Sequence, residues 1–296
     1  MTTLSVRPSP ALHWTGVVWK SLAIALGYVV GTMIIGVVVD ALRLPLPAIA
    51  SRLDPQEALV STFVAGIVYG LVMGALSLHL PVPTWQRFTL LFALAYGLNS
   101  VLNGLEAVFF STYVAPDQFI TLLVVGLAQL APAGLAALLF PPSAVSTRLG
   151  ALARATLAAR SPLAWTWRIL AAGVLFVPVY LFFGMLIAPI VVPYYTEAAG
   201  TGLVIPGFGV MLPLEVVRGV LFILILFPLV AVFRGSRRRL WLWLGLVIAA
   251  FIGWAPLLGG SFLPPTLRLV HGLEITADSF VHAALIAWLL GVTQTD

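Results

Sequence analysis

Residues 21–39 read SLAIALGYVVGTMIIGVVV, a run without a single charge. A helix needs about 20 apolar residues to cross a hydrocarbon layer roughly 30 Å thick, and this run has that length. Arg7 and Lys20 precede it. A secretory apolar region has about 7–15 residues and ends at a small-residue cleavage site. This run is longer and has no A-x-A ending, so it reads as an uncleaved first span. Seven comparable runs follow, each bounded by charges, Pro or Gly. The expected spans are 16–39, 58–80, 88–113, 118–140, 167–192, 207–233, 240–258 and 267–291. Backbone polar groups in lipid must be satisfied within the segment, and these runs are too long and too uniformly apolar for barrel strands. The expected fold class is all-α: a polytopic transmembrane helix bundle of about eight spans.

Composition agrees. The chain has 296 residues, 61% hydrophobic and 8% charged, with a mean hydropathy of +1.10. Soluble domains are about 45–50% apolar and about 25% charged. So few charges cannot cover a water-facing surface, which excludes an ordinary soluble enzyme and a disordered chain. The main partner is a lipid bilayer. The net charge of +5 lies mostly in loop arginines, as in cytoplasmic loops of membrane proteins, and does not imply a nucleic-acid partner. There is no cysteine, so disulfides, thiolate metal sites and iron–sulfur clusters are excluded. No P-loop, dinucleotide fingerprint or G-x-S-x-G elbow occurs, so there is no nucleotide motif.

The positive charges orient the chain. One set of alternate loops holds Arg7, Lys20, Arg87, Arg148, Arg154, Arg160, Arg168, Arg234 and Arg237 to Arg239; the other holds Arg43, Arg52 and Arg268. This bias puts both termini in the cytoplasm, with a bacterial cytoplasmic (inner) membrane, or an equivalent one, as the expected location. Trp14, Trp19, Trp85, Trp165, Trp167, Trp241 and Trp243 fall near span ends, as an aromatic belt does. The chain reads as a single integral membrane domain, 1–296. Two four-helix halves, about 1–140 and 165–296, are joined by a basic linker, 141–164, expected to be a solvated cytoplasmic connection. The segment Asp40 to Glu57 reads as a partly ordered interfacial loop, and Pro193 to Gly209 as a cap over an outer opening.

The informative residues are the ionisable ones inside spans. They are costly there and usually face a bundle interior or a wet cavity. Span eight reads Leu269-Val-His271-Gly-Leu-Glu274-Ile-Thr-Ala-Asp278-Ser-Phe-Val-His282. At about 100° per residue, His271, Glu274, Asp278 and His282 fall within roughly 60° of the circumference. Asn99, Asn103 and Glu106 form a similar stripe on span three, and Glu215 and Arg218 on span six can pair at i,i+3. With the expected topology, Glu106, Glu215 and Glu274 all lie about 10–12 Å below the outer surface. That shared depth predicts one outer-facing polar site built from three helices.

Three chemistries fit this set. Glu274, Asp278 and His282 step inward on one face as proton-carrying chains do, which favours proton-coupled translocation of a small solute or ion. Alternatively, His271 with Glu274, or Asp278 with His282, completed by Glu106 or Glu215, is a candidate divalent-metal set for an intramembrane enzyme acting on a solute or lipid. Thirdly, the polar residues are interhelical ties only. The segment Leu214-Glu215-Val-Val-Arg218-Gly219 departs from the Glu-Glu-x-x-x-Arg motif of the CPBP-type intramembrane proteases: it has one Glu, at another spacing. Both later histidines also fall on one helix, so no roles are carried over from that family.

Overall fold

The computed structural model describes residues 14–143 and 147–292; Arg7 lies outside them. Among the described residues, eight helices are long and apolar enough to cross a membrane: Thr15–Ala41, Pro55–Ser77, Thr84–Phe110, Pro116–Leu139, Pro162–Tyr195, Phe208–Val232, Arg237–Gly259 and Pro265–Leu290, here spans one to eight. Each matches an expected run within a few residues. The offsets come from capping. Span two starts early because Asp54 accepts from the backbone N–H groups of Gln56 and Glu57 with Pro55 in the first turn. Span five starts early because Ser161 accepts from Ala164 ahead of Pro162. These side chains take up orphan donors at a helix start, where proline is tolerated. The protein is an integral, multi-pass membrane protein of all-α class.

Lipid offers no hydrophobic drive between helices, so close packing falls to small residues. Span two lies on span one through Gly66 and Gly70. A Cβ there would come within 2.7 Å of Ala25 Cα and of the Ser21 carbonyl oxygen, respectively. Span six meets span five at Gly219, where a Cβ would run into the Gly173 carbonyl oxygen. Contacts also cross between the two four-helix halves. Tyr69 of span two stacks on Phe251 of span seven at 5.4 Å between ring centroids, and Gly97 of span three packs against Ile225 of span six.

Two spans are interrupted by wide turns with i→i+5 bonding, Tyr96–Leu102 in span three and Ala249–Trp254 in span seven. Such turns are rare and frequently mark functional sites. Asn103, just after the first, donates to the Ile252 carbonyl within the second (3.0 Å), so each interrupted helix supports the other.

The arginine-rich face departs from a purely solvated one. Arg87 is 1% exposed and donates to the carbonyls of Val82 and Ala137 and to Thr84 Oγ1. In the 141–164 connection, Leu149–Ala158 is a short helix pinned by a bond from Thr156 Oγ1 to the Ala231 carbonyl. Arg160 donates to the carbonyls of Leu289, Leu290 and Gly291, and Arg168 to that of Leu289. They close the C-terminal end of span eight, where cations also meet the negative end of the helix dipole. Burial, with Arg168 and Arg237 adding to it, pushes the Arg160 guanidinium below its ordinary value. At the opposite face Thr121 and Gln118 hold the backbone of Pro45 and Leu46, ordering the 40–57 loop.

Candidate functional site

The site is built on Arg218. Its position in span six is fixed by the Gly219–Gly173 crossing one residue away. It is 2% exposed, and its guanidinium spans two helices. One nitrogen donates to both carboxylate oxygens of Glu215 at 2.8 Å, the i,i+3 pair on its own helix. The other donates to Glu106 of span three at 2.5 Å. Glu215 is fully buried, while the Glu106 side chain is 30% exposed. A guanidinium suits this geometry because its planar fork serves two carboxylates at once.

Glu106 and Arg218 open onto a cavity of about 610 Å³. Spans three, five, six, seven and eight line it, together with the 193–209 loop. The span-eight stripe forms one wall, and His271, Glu274, Asp278 and His282 all line it. His271 Nδ1 lies 3.2 Å from Glu274, and His271 Nε2 lies 3.1 Å from the Tyr195 hydroxyl at the end of span five. Asp278 is 8% exposed and accepts from Ser279 Oγ at 3.3 Å. No basic side chain pairs with Asp278 among the described residues.

The cavity ends blindly toward the arginine-rich face. His282 is 1% exposed, and its Nε2 lies 3.3 Å from the Ala172 carbonyl. That bond requires a proton on Nε2, and Nδ1 is buried without a partner. The His282 ring lies 5.0 Å from Phe176 and 5.6 Å from Phe222, and these three rings make the floor. At the other end the 193–209 loop folds over the rim. Thr112 bonds Gly202, and Val204 bonds Phe110. Tyr113 stands at this rim; burial pushes its phenol up to about 12, with Glu106 adding to the shift and Ser111 opposing it.

Of the nine residues singled out in the sequence, seven line the cavity: Asn103, Glu106, Arg218, His271, Glu274, Asp278 and His282. Glu215 stands behind Arg218. Asn99 turns elsewhere, donating to the Tyr69 hydroxyl at 2.6 Å. The wide turn at Tyr96–Leu102 is the reason, since the 100° rule overcounts rotation across it. As a metal set, neither His271 with Glu274 nor Asp278 with His282 is completed by Glu106 or Glu215. No group of three or more His, Asp or Glu capable of holding a metal occurs among the described residues. Sequence reasoning missed Phe176, Tyr180, Tyr195 and Phe222. A signal existed: Phe176, Tyr180, Gly184 and Ala188 recur every fourth residue, and all four line the cavity.

No family model, no curated protein and no solved structure matches this chain.

Proposed function

We propose that the cavity is the solute site of a proton-coupled translocator, in a single membrane domain with both termini cytoplasmic and the cavity facing outward. A bacterial cytoplasmic membrane is the expected setting. One observation carries the reading: four carboxylates, Glu106, Glu215, Glu274 and Asp278, share the site with a single arginine that is already committed to two of them. A buried carboxylate without a partner is expensive. Among the described residues, Glu274 meets only the titratable His271 and Asp278 meets only the Ser279 hydroxyl, so the two carboxylates call for a proton or a bound cation as counter-charge. A site that exchanges one for the other couples proton movement to cation movement. The titratable groups around the pair are Glu106 on span three, Tyr180 and Tyr195 on span five, Glu215 and Arg218 on span six, and His271 and His282 on span eight. Tyr113 stands at the rim.

The test uses proteoliposomes with a trapped pH dye and the membrane potential clamped at zero, with dodecylguanidinium as cation on both sides. A pH step should collapse faster with the wild-type protein than with Asp278→Asn. Equal rates would overturn proton coupling through this pair. The blind floor favours a second reading, an intramembrane enzyme whose site opens to one side only.

A further inference from the structure

The geometry points to the ligand class: an amphiphile with an N–H-bearing cationic head, ammonium or guanidinium, and an apolar tail that enters from the lipid between spans five and six. This deepens the proposed solute site and rests on the same cavity.

Three observations carry it. The first is size and lining. About 610 Å³ is far more than a bare ion needs and falls in the range of sites for drug-sized molecules. Most of the wall is aliphatic or aromatic. The second is a side opening. Met185 of span five and Phe208 of span six both line the cavity, and each is 67% exposed, so neither is closed over by a neighbouring helix. A Cβ on Gly184, beside Met185, would meet nothing within 4 Å. Met185 lies ten residues before Tyr195, so the gap reaches about 15 Å below that end of the helix, into hydrocarbon.

The third is the chemistry of the blind end. Asp278 stands one helical turn from Glu274 and one from His282. All three line the cavity. The inner end therefore presents carboxylate acceptors, and Arg218, the guanidinium lining the cavity among the described residues, is already held by Glu106 and Glu215. Acceptors call for donors. An ammonium offers three N–H groups and a guanidinium up to five, and carboxylates hold such donors by short, charge-assisted bonds. A quaternary ammonium has the charge without the donors, and an anionic head has neither.

The experiment is equilibrium binding to the full chain in phosphatidylcholine nanodiscs, with empty nanodiscs subtracted. Four probes are compared: dodecylguanidinium, dodecyltrimethylammonium, dodecyl sulfate and guanidinium without a tail. The expected result is saturable binding of one dodecylguanidinium per chain, at least tenfold tighter than any of the other three. Asp278→Asn should weaken it at least tenfold, and Asp278→Glu should recover most of that loss. Met185→Trp, which narrows the side gap, should slow association of dodecylguanidinium and leave tailless guanidinium unchanged. Equal binding of the sulfate or the trimethylammonium would overturn the class. So would unchanged binding in Asp278→Asn, whose folding is checked by its thermal transition. Tight, selective binding with no probe-dependent proton movement in proteoliposomes would keep the ligand class and refute translocation. Absence of binding, with the cavity still reached from both membrane faces, would do the reverse.

Discussion

Replacing Arg218 by Met isolates the energetics of the buried ion triad. Methionine keeps much of the length and apolar volume but leaves Glu215, fully buried, facing Glu106 with no cation between them. Removing one partner of a buried pair costs about 3–5 kcal/mol, because the remaining charge is uncompensated. Glu106 adds less, since its side chain is 30% exposed and water can screen it. For a chain of this size 1 kcal/mol shifts the thermal midpoint by about 2–4 °C, so a loss near 4 kcal/mol corresponds to roughly 8–16 °C. The nine tryptophans report the transition by intrinsic fluorescence in detergent micelles. The double variant Arg218→Met with Glu215→Gln removes the orphaned charge and should recover more than half of the loss. A single variant that melts within 3 °C of wild type would refute the argument. So would a double variant no more stable than the single one, because the cost would then not be an unpaired buried carboxylate.

Further outcomes follow from individual contacts. Gly219→Ala puts a methyl into the Gly173 carbonyl and should cost about 1–3 kcal/mol as spans five and six separate, read as a lower melting temperature. Asn103→Leu removes the bond to Ile252; hydrogen exchange of the 249–254 turn should rise while that of span one stays unchanged. Arg160→Ala leaves the carbonyls at the end of span eight without their main donors, so exchange should increase over 286–291 and stability fall by about 1–2 kcal/mol. Tyr195→Phe frees His271 Nε2 and should speed labelling of a cysteine placed at Ser279 from the face bearing the 193–209 loop.

Much of the fold was legible because one solvent constraint dominates it. A segment that must satisfy its own backbone in lipid shows as a long apolar run, and all eight did. The site was legible in part for the same reason: ionisable residues cannot face lipid, so the span-eight stripe and the Glu215–Arg218 pair declared an interior. Which helices meet there rested on a depth argument, and the Arg218–Glu106 bond agrees with it. The failures have different origins, and the first is partners distant in sequence. Arg160 looked like a solvated linker charge and Arg87 like a loop charge, yet Arg160 ends on the carbonyls of Leu289, Leu290 and Gly291 and Arg87 on that of Ala137, contacts that leave no mark on local composition. Asn99 was assigned to the stripe by a rotation rule that fails across an i→i+5 turn, and the apolar pattern of Tyr96–Leu102 carries no sign of that turn. Span five offered no charged residue to single out, because its contribution to the cavity is aliphatic and aromatic.

The absence of cysteine permits a direct test of translocation that needs no knowledge of the solute. Ser279→Cys is close to isosteric and lines the cavity between Asp278 and the floor. In vesicles of known orientation, a membrane-impermeant thiol reagent is applied to one face at a time, and protein held at Glu197→Cys or Arg238→Cys reports which face is outside. A translocator must open the Phe176–Phe222–His282 floor during its cycle, so Ser279→Cys should be labelled from both faces, faster from the loop face. Labelling from the loop face alone, under conditions where Arg238→Cys reacts fully from the other, would contradict translocation and leave a one-sided site.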